Sequence, residues 1–126
     1  MDLTLHGNTA NAVRGFGPDG AIIGDRQFSQ SLIVSSEQLI EDWPVTAPSQ
    51  LDRDQAGQLL SYQPELVIVG TGPTLVFPPA PFAAAIMARN VGLESMDNGA
   101  ACRTYNVLLD EGRNVLLALI QPDSEG

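Results

Sequence analysis

Three strand-like runs, ELVIVG at 65–70, GLESM at 92–96 and NVLLALI at 114–120, alternate with two stretches of helical character. The first of these, PFAAAIMARNVG, places Pro81 in its first turn and ends at Gly92; the second, DNGAACRTYNVLLDEG, runs from a cap at Asp97 or Asn98 to Gly112. Strands joined through helices in this way imply βαβ crossovers, and crossovers require a parallel sheet covered on both faces. This alternation constrains the fold more than any other feature of the chain.

The N-terminal half reads differently. From Ala12 to Ser35, short apolar runs are separated by glycine and polar turns, Pro18-Asp19-Gly20 being the clearest, and the pattern is that of a β-meander. Ser35 and Gln38 have the spacing of a capping box ahead of SEQLIEDW, which predicts a short helix burying Leu39, Ile40 and Trp43 and stopped by Pro44. A further helix is expected in VTAPSQLDRDQAGQLLSYQ, with Ser49 placed to cap it three residues before Asp52 and its end before Pro64. The fold class is therefore α/β: one domain over residues 1–126, three layers, a mixed and largely parallel central sheet, and an extra β layer from the N-terminal half. Residues 1–11 read as an arm.

Composition removes whole classes of function. The chain of 126 residues carries 15 acidic and 6 basic residues for a net charge of −9, which opposes a counterion-releasing grip on nucleic acid. All six basic residues are arginines. Without lysine there is no Schiff-base chemistry, no P-loop lysine and no kinase-type phosphate clamp. With one histidine, His6, and one cysteine, Cys102, a structural zinc site of about four Cys or His ligands and an internal disulfide are both excluded. Neither metal nor cofactor is expected. No run of about 18 apolar residues predicts a membrane span, and the start of the chain lacks a secretory pattern, so the expected location is the cytoplasm.

Two places concentrate chemistry. Gly70-Thr71-Gly72 follows a strand, as a dinucleotide-binding turn does, but the third glycine of that fingerprint is replaced by Leu75 and the helix starts only near Pro81. A Rossmann cofactor is thus not expected, although the turn sits at the carboxyl end of a parallel strand, where open α/β sheets bind ligands. The second place is Leu93 to Ile120. Arg103, Asn106 and Asp110 share a helical face. In one reading Arg103 and Asn106 add donors to a small polar pocket beside the Gly70–Gly72 turn and Asp97; in the other, Arg103 pairs with Asp110 or Glu94 and Asn106 ties down a loop. Cys102, near a helix start and next to Arg103, has the position of an activated thiolate, whereas most lone cysteines in such settings pack. A Cys-His or Ser-His pair would need His6 to dock from the N-terminal arm.

The run GTG at 70–72, the pair Pro78-Pro79, Met96-Asp97 and, above all, AACRTYNVLLDEGR followed by ALI resemble the small uncharacterised domain family that includes mitochondrial complex I assembly factor 3. The resemblance spans about Ala12 to Pro122. It implies a three-layer α/β fold and marks Gly70, Thr71, Gly72, Glu94, Asp97, Ala101, Cys102, Tyr105, Asn106, Glu111 and Gly112, with no established catalytic role for any of them. The arginine in AACRTYN, which the mitochondrial member lacks, is similar to the bacterial branch.

The leading expectation is a non-catalytic protein-interaction module that assists assembly of a respiratory or other membrane-associated complex through an unidentified protein partner. The competing one is a small-ligand or anion-binding protein, or an enzyme of modest chemistry. Its pocket would lie at the 70–72 turn and the start of the 98–110 helix, with Gly70, Thr71, Gly72, Glu94, Asp97, Cys102, Arg103 and Asn106 as candidate residues. Self-association through Phe16, Ile22, Ile23 and Phe28 is a third expectation.

Overall fold

A computed structural model describes residues 11–121. The predicted arm, apart from Asn11, and its His6 lie outside the described residues.

The meander is present. β1 (Val13–Gly17), β2 (Gly20–Ile23) and β3 (Arg26–Phe28) form an antiparallel three-stranded sheet, and the β1–β2 hairpin turns at Pro18-Asp19 as expected. Side chains along β2 alternate, with Ala21 and Ile23 buried and Ile22 exposed. Ile23 and Phe28, expected on an exposed patch with Phe16 and Ile22, are buried in the core, because the sheet turns that face inward.

The chain then enters a five-stranded sheet of order β5-β4-β8-β6-β7, built from β4 (Leu32–Val34), β5 (Leu39–Ile40), β6 (Leu66–Gly70), β7 (Gly92–Met96) and β8 (Val115–Leu119). β6 pairs in parallel with β7 on one side and β8 on the other. These are the three strands of the βαβ pattern. β4 joins the far side of β8 antiparallel, and β5 pairs antiparallel with β4, so the sheet is mixed.

β5 corrects the expected helix over SEQLIEDW. Ser35 N–H donates to the Gln38 carbonyl at 2.9 Å, and the Ser35 hydroxyl accepts from Glu37 N–H at 3.3 Å, closing a tight turn. A serine that bonds its own neighbouring backbone nucleates turns as readily as helices. Leu39 and Ile40 lie opposite Val34 and Ile33 as an edge strand, while Trp43 is buried as expected.

Among the described residues the α-helices are α1 (Arg53–Leu60), α2 (Ala80–Met87) and α3 (Asn98–Asp110). Asp52, not Ser49, caps α1 by accepting from Gln55 N–H; Ser49 lies in a short 3₁₀ turn, Pro48–Gln50. In α2, Pro81 occupies the first turn, and Asn90, with φ of 62°, ends the connection. Asp97 caps α3 by accepting from Ala100 N–H at 3.0 Å.

The central strands are buried on both faces and divide their side chains by parity. Ile68, Leu117 and Leu119 pack with Ala101, Cys102, Tyr105 and Leu109 of α3 and with the three-stranded sheet. Val67, Val69, Leu116 and Ala118 pack on the other face with Ala56 and Leu59 of α1 and Phe82 and Ile86 of α2. The near-continuous apolar sequence of β8 follows from having no solvent face. At the opposite end, Arg113 and Glu65 form an ion pair at 2.8 Å, and the Glu65 carboxyl is held below its usual range by the N–H of Asn114 and by Arg113.

Candidate functional site

Adjacent strands β6 and β7 send their chains to opposite faces of the sheet, β6 to α2 and β7 to α3. The crevice outside such a divergence is where open α/β sheets place ligands. Here it opens into a cavity of about 360 Å³. The β1–β2 hairpin contributes Phe16 and Pro18, the end of β6 contributes Gly72 and Pro73, and the start of α3 contributes Asp97 and Gly99. Of the candidate residues, Gly72 and Asp97 line this cavity, whereas Gly70 and Thr71 lie just before Gly72 in the chain.

The residue that joins them is Asn98, which sequence reasoning considered only as a cap. Its Oδ1 accepts from Gly72 N–H at 2.9 Å, its Nδ2 donates to the Ile120 carbonyl at 2.8 Å, and its own N–H donates to the Gly72 carbonyl at 2.8 Å. One buried carboxamide thus closes the ends of β6 and β8 onto the first residue of α3. Gly70 has no side chain because the space is taken: a Cβ there would lie 2.5 Å from Asn98 Oδ1 and 2.7 Å from Leu119 Cδ1. Gly72 meets nothing in that sense, but its φ of 109° is one that L side chains rarely adopt.

Thr71 is buried and serves the loop that follows. Its hydroxyl donates to the Thr74 carbonyl at 2.8 Å and accepts from Val76 N–H at 3.0 Å. The loop then carries Leu75, Val76 and Phe77 outward, 48%, 43% and 80% exposed. Nothing in the apolar character of LVF distinguishes it from a strand before the fold is known.

The AACRTYN block turns out to be a latch. Asn106 Nδ2 donates to the Val13 carbonyl and its Oδ1 accepts from Val13 N–H, both at 2.8 Å, so the side chain pairs with β1 as a neighbouring strand would. Tyr105 donates its hydroxyl to the Asn11 carbonyl at 3.0 Å. Asn106 is therefore not a free pocket donor; it ties down a segment. Cys102 is not an activated thiolate: it is 3% exposed, and burial pushes its thiol up to about 12 against a smaller opposing pull from Arg103. Burial likewise raises the Tyr105 hydroxyl.

Arg103 remains exposed, and no carboxylate among the described residues lies within 4 Å of it, so the expected pairing with Asp110 or Glu94 does not form. It lines a separate cavity of about 260 Å³ together with Arg14 and Asn106. Glu94 stands exposed in the middle of the edge strand β7, away from both cavities. A charge there discourages strand addition by another chain.

The model of the family described as "Protein of unknown function (DUF498/DUF598)" matches residues 13–120. The chain belongs to this family. A Francisella tularensis relative named "13 kDa major membrane protein" is 27% identical over 100 residues, covering 79% of this chain and 81% of that one. A mouse relative named "NADH dehydrogenase [ubiquinone] 1 alpha subcomplex assembly factor 3" is 30% identical over 114 residues, covering 89% of this chain and 58% of the mouse protein. The chain thus spans little more than half of that assembly factor. An NMR structure from Xanthomonas campestris superposes with a TM-score of 0.80 at 39% identity, covering 87% of this chain and 83% of that one. The predicted α/β class and the family resemblance both hold. No helix among the described residues is long and apolar enough to cross a membrane.

Proposed function

We propose that this DUF498/DUF598 protein is a non-catalytic interaction module that helps assemble a respiratory or other membrane-associated complex, acting from the cytoplasm on a protein partner. The observation that carries the reading is the loop after β6. Three consecutive apolar side chains, Leu75 to Phe77, stand in water while Thr71 holds the backbone beneath them. Exposed apolar surface forgoes about 25 cal/mol per Å² of burial, and large aromatic side chains so displayed mark contact surfaces. The name of the mouse relative supports the reading. So does the chemistry of the site, where Cys102 is buried and protonated and both asparagines are committed to the backbone.

The test is complementation. A Leu75→Ser, Phe77→Ser double variant keeps its stability within about 0.5 kcal/mol per site, since exposed positions contribute little. In cells that depend on it, native gels should show the membrane complex failing to assemble. Assembly at the wild-type level would refute the reading.

A second reading is favoured by the cavity itself. Its 360 Å³, at the point where β6 and β7 diverge, lies in the size range of small-molecule sites, about 300–1,000 Å³.

A further inference from the structure

The cavity at the strand ends and the one beside Arg103 adjoin at the start of α3, with Phe16 and Gly99 as shared walls. Their linings differ in kind. The larger is bounded mainly by Phe16, Pro18, Pro73 and glycines, with Ser29, Asp97, Asn98 and Gln121 completing its wall. The smaller, of about 260 Å³, is bounded by Arg14 and Arg103. Arg103 reaches the junction: its Nη1 lies 3.4 Å from the point a Cβ on Gly99 would occupy.

The arginines on that side form no ion pair among the described residues. In a chain of net charge −9, Arg26 and Arg113 are each paired with a glutamate. Arg14 and Arg103 face one cavity with no carboxylate among the described residues within 4 Å. Arg14 donates Nη1 to the Gly24 carbonyl at 2.6 Å, which orients its guanidinium without neutralising it. Two cations on one cavity repel each other, and an anion between them reverses the sign of that interaction. On the other side of Gly99, Asp97 Oδ1 lies 3.5 Å from the same Cβ point. Its carboxylate repels an anionic head from the apolar cavity and so fixes the ligand's direction.

The geometry points to a single-chain amphiphilic anion as a ligand spanning the two adjoining cavities. Its apolar body lies along Phe16, Pro18 and Pro73, and its carboxylate or phosphate head between Arg14 and Arg103. This rests on the small-ligand reading above and names the class of ligand.

The full chain, titrated with sodium decanoate below its micelle concentration and followed by NMR and calorimetry, tests it. Saturable shifts at Phe16, Gly72 and Gly99 are expected, with acetate producing none. The Arg14→Met, Arg103→Met double variant should bind decanoate at least about tenfold more weakly, while Arg53→Met, on α1, binds as wild type does. If 1-decanol or decylammonium binds there as tightly as decanoate, the anionic class is overturned while the small-ligand reading stands. If anionic lipid vesicles shift those resonances and decanoate does not, the free single-chain ligand is overturned. If no compound moves them, both the class and the small-ligand reading fall.

Discussion

Replacing Asn98 by alanine removes two side-chain hydrogen bonds and leaves the Gly72 N–H and the Ile120 carbonyl without them in a buried setting. Each buried group so orphaned costs about 1–3 kcal/mol, so Asn98→Ala should lose about 2–6 kcal/mol from a total expected near 5–15 kcal/mol. Asn98→Asp sharpens the test. One carboxylate oxygen can still accept from Gly72 N–H, but the other would face the Ile120 carbonyl, acceptor against acceptor, in a buried position. Protonation turns that oxygen into a donor. The aspartate's folded-state pKa should therefore be raised above its ordinary value of about 3.9. The sign follows: the variant is most stable below the ordinary pKa and loses stability as pH rises through the raised one. Urea unfolding followed by Trp43 fluorescence reports both effects, because Trp43 is buried and donates Nε1–H to Gln55 Oε1 at 2.8 Å. A loss below about 1 kcal/mol for the alanine variant at unchanged m-value, or an aspartate variant as stable as wild type at neutral pH, would refute the role given to Asn98 in joining the ends of β6 and β8 to α3.

The other predictions are smaller. Asn106→Ala should cost about 1–3 kcal/mol in the same assay, with amide exchange accelerating first at Val13, since the carboxamide holds both backbone groups of that residue. Gly57→Ala should stabilise by about 0.5–1 kcal/mol: the position is inside α1, exposed, and a Cβ there meets nothing within 4 Å. Stability should fall as pH rises from about 9 towards 12, because the unfolded chain releases the Cys102 proton near 9.0 whereas the folded chain keeps it to about 12. Consistently, Cys102 should react with a thiol reagent only at the rate of unfolding.

The parts of the fold legible in the sequence are those whose cause is local. Apolar runs too continuous for a one-sided strand gave β6 and β8, and Pro81, Asp97 and Gly112 marked the helix ends through φ preference and capping. SEQLIEDW shows the limit: its capping-box spacing is real, but Leu39 and Ile40 gain more by pairing with Val34 and Ile33, residues whose own position depends on β8. The site was legible to the same degree. Gly72 and Asp97 come to line one cavity because strand ends and helix starts follow from topology. Sequence alone reads Asn98 only as a cap, and Asn106 as either a pocket donor or a tie for a loop, because their partners are Gly72, Ile120 and Val13, the last 93 residues away. Cys102 and Arg103, neighbours in sequence, part company because one faces the core and the other solvent.

The central claim is that Leu75 to Phe77 is the surface presented to a partner. A photo-crosslinking side chain placed at position 77, in cells expressing the protein at its normal level, tests it most directly, with position 107 on α3 as control because Val107 is also exposed, at 57%. A discrete adduct with a subunit of a membrane-associated complex from position 77, absent from position 107, is the predicted result. No adduct at 77 beyond that seen at 107 would contradict the account.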